Sequence, residues 1–340
     1  MRDLFTQSVQ GRDDGTKSLD QRILALFRAK PGWVVSGEEL STLLNVSRTA
    51  VWKRIKSLKD LGYRIEAVPS QGYRLVAVPD LLIPEEITAG LTTRRIGRRV
   101  ISFRETDSTN EVAFRLAEEG AEEGTVVVAE AQRRGKGRLG RQWVSPAGVN
   151  LYCSVILRPP VLPVRAPQLT FLSAVAVARA VAATTTLHPF IKWPNDLLIN
   201  GGKVAGLLNE MSAETEKVNF LVLGIGVNIN MRRGQFPADL RHPATSLCLE
   251  EGAEVSRLAF VRALLEALDA LYADYLLHGY EPVRREWLAL SNVLGRRVRV
   301  AFQESETVGV AEGIDEDGAL LLQLADGRVE RVLAGDVTII

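Results

Sequence analysis

From about Gln168 to Thr185 the chain is rich in alanine and valine and reads as a helix with almost no polar face. A helix that is apolar all round must be buried on most sides, so the rest of the chain has to build a sheet and further helices over it. The flanking pattern supplies them. Val100 to Phe103, Thr125 to Ala131, Asn150 to Leu157 and Phe220 to Val227 read as strands. Asn110 to Glu119 reads as a helix capped by Asp107 or Ser108 and ended by Gly120, and further helices are expected from about Val255 to Leu277 and from Glu281 to Leu290. With a short helix near Glu85 to Gly90, these make a mixed α/β domain over 82–290, set off by the linker Val78-Pro79-Asp80.

The segments on either side follow other periodicities. Over 18–78, Ser18 with Gln21 and Ser36 with Glu39 make capping boxes, and Ser47 caps a third helix that runs to Lys59 with Gly62 beyond it. A β-hairpin, Tyr63 to Ala67 and Tyr73 to Leu75, follows, which completes the plan of a winged helix-turn-helix. On the third helix Val51, Ile55 and Leu58 face inward, while Arg48, Thr49, Trp52, Lys53 and Lys56 lie on the outer side. Leu19 to Val78 carries ten basic and five acidic residues, a local +5 in a chain whose net charge is only +1. Such a face suits the phosphates and base edges of duplex DNA, or else docks a partner domain. Beyond Arg296, short strands separated by turns such as Asp326-Gly327 make a small β-barrel over 295–340, too small for catalysis and suited to a lid, docking or dimer-support role. The polar residues 1–17 read as a disordered tail.

The candidate chemistry sits in the central domain. Gln132 to Pro146 sets Arg133, Arg134, Lys136, Arg138 and Arg141 among Gly135, Gly137 and Gly140. Cations on a backbone free to bend suit a phosphate, although a solvated surface loop has the same composition. A P-loop is excluded, because Lys136 is followed by glycine and the segment leads into Trp143 and a strand. Asn200-Gly201-Gly202 is a hairpin turn that places Asp196 and Lys203 on opposite sides of one tight connection, as a site or as an ordinary salt bridge. Gly224 to Asn228 carries glycines that admit close approach. His188, His242 and His278 are the only histidines and form no triad, and Cys153 and Cys248 read as buried thiols, so covalent catalysis by the protein is not expected. The chain has no apolar leader and no run of about 18 apolar residues, so a cytoplasmic protein without membrane contact is expected.

In combination Asp107-Ser-Thr-Asn110, Gln132 with Gly135 to Gly140, Lys192-Trp-Pro-Asn-Asp196, Lys203-Val-Ala-Gly206 and Gly224 to Asn228 resemble the bifunctional biotin protein ligase and biotin operon repressor family. The resemblance implies an α+β multidomain fold: a winged helix-turn-helix, a core akin to class II aminoacyl-tRNA synthetases, and an SH3-like barrel. It implies that biotin and MgATP form biotinyl-5′-adenylate, which is transferred to a lysine of a biotin carboxyl carrier protein. It also implies an operator-bound repressor with the adenylate as corepressor and a ligand-promoted homodimer. Carried over by position, Ser108, Thr109, Asn110, Gln132, Lys136, Arg138, Lys203 and Gly206 contact biotin. Gly135, Gly137, Arg138, Gly140, Trp143, Asn195 and Asn228 hold ATP or the adenylate, and Lys203, Arg138 and Asp196 carry the chemistry, Asp196 also as a magnesium ligand. Arg48, Thr49, Trp52, Lys53 and Lys56 meet DNA. Lysine stands at position 136 where many relatives have arginine, which removes a bidentate fork. A lipoate-type acyl-adenylate ligase and a ligand-sensing repressor without turnover are the alternatives.

Overall fold

The computed structural model describes residues 18–240 and 243–340, so the expected tail over 1–17 and His242 lie outside the described residues. The chain divides into two compact units, with the break between Leu81 and Leu82.

The first unit is built by capping. Helix α1 (Leu19–Ala29) starts at a reciprocal box in which Ser18 and Gln21 satisfy each other's backbone N–H groups. Helices α2 (Gly37–Leu44) and α3 (Arg48–Asp60) are capped by Ser36 and Ser47. At α2 only half of the expected box forms, because the Glu39 side chain turns to Lys30 at 2.9 Å instead of reaching back to the Ser36 N–H. Ile23, Leu24, Phe27, Leu40, Val51, Ile55 and Leu58 fill the centre. Strands β1 (Arg64–Val68) and β2 (Gly72–Ala77) form the hairpin, and Tyr73 also bridges Val35. That bridge explains Gly72, since a Cβ there would lie 2.2 Å from the Val35 carbonyl oxygen.

The second unit contains α4 (Pro84–Thr88), β3 (Val100–Phe103), α5 (Thr109–Glu118), β4 (Val126–Ala129), β5 (Leu151–Leu157), α6 (Pro167–Thr184), β6 (Phe190–Lys192), β7 (Asp196–Ile199), β8 (Gly202–Ala213) and β9 (Val218–Val227). It continues with α7 (Leu247–Glu251), α8 (Arg257–His278), α9 (Glu281–Leu290) and strands β10 (Arg297–Phe302), β11 (Ser305–Ile314), β12 (Leu320–Gln323), β13 (Val329–Val332) and β14 (Asp336–Ile339). Strands β3 to β9 form one seven-stranded sheet in the order β3-β4-β5-β9-β8-β7-β6, parallel only between β3 and β4. Every residue of β4 and β5 is buried, because helices cover both faces. On one face α5 packs Val112, Ala113 and Ala117 against Val127, Ile156 and Val222. The other carries the apolar helix α6, long and apolar enough by composition to cross a membrane but 72% buried here over its most apolar window, with α8 and α9 beside it.

Strands β10 to β14 make a second sheet, order β13-β12-β11-β10-β14. It shares the same core: Val298, Ala311, Ile314, Leu322 and Val337 belong to one cluster with α6, α8 and α9. Periodicity missed β6 and the long outer run of β8, since three residues are too few to show alternation and β8 is mixed in burial.

Candidate active site

The site begins at the β7–β8 hairpin. A bulge between Leu197 and Leu198 shifts the register, and the Lys203 ammonium reaches the Asp196 carboxylate at 2.6 Å, both side chains partly exposed. Three residues on, Gly206 of β8 pairs with Gly226 of β9. The Trp143 indole lies over this glycine pair. A Cβ on Gly226 would be 2.8 Å from the indole nitrogen and one on Gly206 would be 2.9 Å from the ring's far edge. The Lys203 ammonium stands 5.5 Å from the centre of the same ring, a cation–π distance. The indole N–H is buried and meets no acceptor among the described residues. The glycines expected to admit a ligand thus admit Trp143 first, and Gly224 admits the Asn110 side chain in the same way.

The basic loop is a small hairpin rather than an unstructured strap. Trp143 N–H donates to Gly135 at 2.8 Å and Gly137 N–H to Arg141 at 2.7 Å, with Leu139 at the tip in the left-handed region. Carboxylates hold its rim: Arg133 and Arg134 both meet Asp107, and Lys136 meets Glu111 at 3.0 Å and Glu210 at 3.7 Å. Arg141 pairs with Asp336 of β14. Arg138 differs, donating to the neutral Asn195 Oδ1 at 3.1 Å. Burial draws its guanidinium below the ordinary arginine value, and Asp336 and Asp196 act against that. Burial likewise lowers Lys192, which lies within the field of Asp196 and Asp336.

The start of α5 forms the opposite wall. Ser108, Thr109 and Asn110 are buried there and line the cavity. The expected side-chain cap does not form: Asp107 is taken by the two arginines, and the Ser108 hydroxyl makes no capping bond, so the first N–H of the helix is met by a side chain from elsewhere. Gln132 Oε1 accepts from the Thr109 N–H at 2.9 Å, its amide donates to Ser145 at 3.0 Å, and Ser154 donates to Asn110 at 2.6 Å. Asn228 is fixed by donating to the Thr245 carbonyl at 3.1 Å.

The cavity measures about 540 Å³, in the range of small-molecule sites. It brings together Ser108, Thr109, Asn110, Gln132, Lys136, Gly137, Arg138, Trp143, Asn195, Asp196, Lys203, Gly206 and Asn228. Gly135 and Gly140 lie outside the lining: a Cβ on Gly135 would strike the Trp143 carbonyl at 2.4 Å, and Gly140 takes a positive φ in open space. Met231, Phe236 and Leu240, from the segment between β9 and α7, and Asp336 also line the cavity. Sequence reasoning missed them. The first three sit in a stretch with no period, where the apolar Phe236-Pro237 between polar residues was the one available signal, and Asp336 arrives from a distant strand. The thiols play no part, since both cysteines are buried and burial pushes Cys153 up to about 12. In the first unit Arg48, Thr49, Trp52, Lys53 and Lys56 are all exposed on α3, with Lys56 5.9 Å from the Trp52 ring.

Residues 102–228 match the biotin/lipoate A/B protein ligase family, 20–74 an HTH domain and 293–339 the biotin protein ligase C terminal domain. The chain is 38% identical over 320 residues to the bifunctional ligase/repressor BirA of Bacillus subtilis, covering 94% of this chain and 98% of the relative. It is 32% identical over 305 residues to that of Escherichia coli, covering 89% and 92%. Among solved structures, the biotin protein ligase from Aquifex aeolicus in complex with biotin and ATP superposes with a TM-score of 0.62 at 29% identity, over 72% of this chain and 99% of that one.

Proposed function

The chain belongs to the biotin protein ligase family as a bifunctional ligase and repressor, and from that premise we propose how its residues carry out both tasks. The observation that carries the reading is the Lys203–Asp196 pair set beside a Trp143 indole whose buried N–H has no partner among the described residues. In the first step a biotin carboxylate oxygen attacks the α-phosphorus of ATP, the bond to the β-phosphate breaks, and pyrophosphate leaves. Two anions must meet, and at about 4 Å their repulsion is roughly 4 kcal/mol in a partly screened site. Lys203 and Arg138 offset it. Asp196 orients Lys203. Ser108, Thr109, Asn110, Gln132, Lys136 and Gly206 surround biotin, while Gly137, Trp143, Asn195 and Asn228 flank the nucleotide. Gly135 and Gly140 serve that clamp by shaping the hairpin. In the second step a carrier lysine attacks the anhydride carbonyl and AMP leaves.

Magnesium enters as part of the substrate MgATP. The described residues include no cluster of three side chains able to hold a metal, and the Asp196 carboxylate already meets Lys203. The donor set does not fit a resident ion.

The first unit serves as a winged helix-turn-helix, with Arg48, Thr49, Trp52, Lys53 and Lys56 presented to operator DNA. The core is of the class II synthetase kind, and β10 to β14 form an SH3-like barrel. The adenylate acts as corepressor by favouring a homodimer, which must then favour DNA binding. Both partners, carrier protein and operator, place the protein in the cytoplasm. Incubation with MgATP, biotin and a biotin carboxyl carrier domain should add one biotin to one lysine by mass spectrometry. An unmodified lysine beside a working control ligase would sink the enzymatic reading.

A further inference from the structure

We propose that Asp336 is a positioning residue for ligation: through Arg141 it ties the far half of the basic hairpin over the cavity and keeps the adenylate enclosed until an acceptor arrives. The proposal rests on the ligase reading above and adds a task for the C-terminal sheet. The hairpin's near half is held by Asp107, Glu111 and Glu210. Its far half, past the tip at Leu139, has a single carboxylate contact among the described residues, and that is Asp336, 195 positions away from Arg141. Asp336 is well placed for the purpose. It opens β14 opposite Ala301, so ladder bonds fix its backbone, and the preceding Gly335 passes so close that a Cβ there would lie 2.5 Å from Val300. A carboxylate on such an element is a fixed anchor for the hairpin that carries Arg141. Asp336 also lines the cavity and acts on Arg138 and Lys192, so it belongs to the electrostatics of the site and not only to the outer surface.

A partly exposed ion pair shifts an open–closed balance by up to about five-fold, which sets the expected size of the effect. The test uses full-length protein loaded with labelled biotin and MgATP, freed of excess ligand, with escape of label followed in the absence of acceptor. Asp336→Asn and Arg141→Gln should each speed escape about five-fold, the double variant should be no faster than either single one, and the charge swap R141D/D336R should restore slow escape. A merely supportive role in the sheet would not be rescued by the swap. Escape within two-fold of wild type in both single variants, additive effects, or a swap that rescues nothing would each overturn the proposal. Should Asp336→Asn disturb the sheet, Arg141→Gln on the exposed hairpin carries the same expectation. If wild-type protein forms no adenylate at all, the ligase reading fails instead, so the two failures are told apart.

Discussion

Lys203 has three neighbours that define what its removal should do: Asp196 at 2.6 Å, the Trp143 ring at 5.5 Å and the space over Gly206. Lys203→Ala takes away the ammonium proposed to offset carboxylate against phosphate but leaves the hairpin, whose register depends on backbone pairing. Adenylate formation should fall by about 10²–10³, the scale for loss of one preorganised electrostatic group, with thermal midpoint unchanged. Pyrophosphate release alongside a melting curve checks this. Gly226 gives a prediction of the opposite kind, since its substitution adds atoms. A Cβ 2.8 Å from the indole forces Trp143 off its seat, at a cost of about 1–3 kcal/mol. Gly226→Ala should weaken biotin and nucleotide binding by calorimetry while the circular dichroism spectrum stays native. Its exposed counterpart Gly201, with nothing within 4 Å, is the control, its positive φ costing stability but not affinity.

At the scale of elements, α3 separates its inner face, Val51, Ile55 and Leu58, from an outer face whose cations meet solvent. Lys56→Ala should therefore lower operator affinity and reduce the slope of affinity against salt by about one charge, leaving biotin transfer untouched. Fluorescence anisotropy at several salt concentrations checks it; an unchanged slope would remove Lys56 from the phosphate contacts. Elements specified by neighbouring residues were readable beforehand. Ser18, Ser36 and Ser47 mark helix starts through bonds three residues long, and Asn200-Gly201-Gly202 marks a turn through its own conformational demands. The same locality allowed Lys203 and Asp196 to be paired in advance. What depended on distant partners was not readable. Asp107 is diverted from its capping role by arginines 26 and 27 positions on, Glu39 from its box by Lys30, and Trp143 finds Gly206 and Gly226 only once β8 and β9 lie side by side. Glycines in Gly224 to Asn228 announce close approach without saying what approaches.

Across the whole molecule the core decides which truncations survive. Residues 18–81 enclose their own apolar centre, and the second unit starts cleanly at Leu82, whose N–H donates to the buried Glu130 at 2.9 Å. Glu130 also pairs with Arg257 at 2.7 Å, with both groups almost fully buried, so the start of this unit is locked from within. The C-terminal sheet has no such independence. The Trp193 indole donates to the Gly318 carbonyl, Gln168 donates to Glu316, and Arg284 donates to Ile314, while Val298, Ile314, Leu320, Leu322 and Val337 complete the packing around α6 and α9. Five such side chains are each worth about 1.5–3 kcal/mol of burial, comparable in sum with the roughly 5–15 kcal/mol that holds a domain folded. A chain cut to 82–340 should unfold cooperatively, form adenylate and label the carrier, and lose DNA binding. A chain cut to 18–295 should aggregate or melt without a cooperative transition, even though it keeps Lys203, Arg138 and Trp143. Scanning calorimetry of the two truncations, read beside pyrophosphate release, decides the matter: a well-folded, active 18–295 fragment would mean that the shared core is dispensable and that the sheet bearing Asp336 is an appendage.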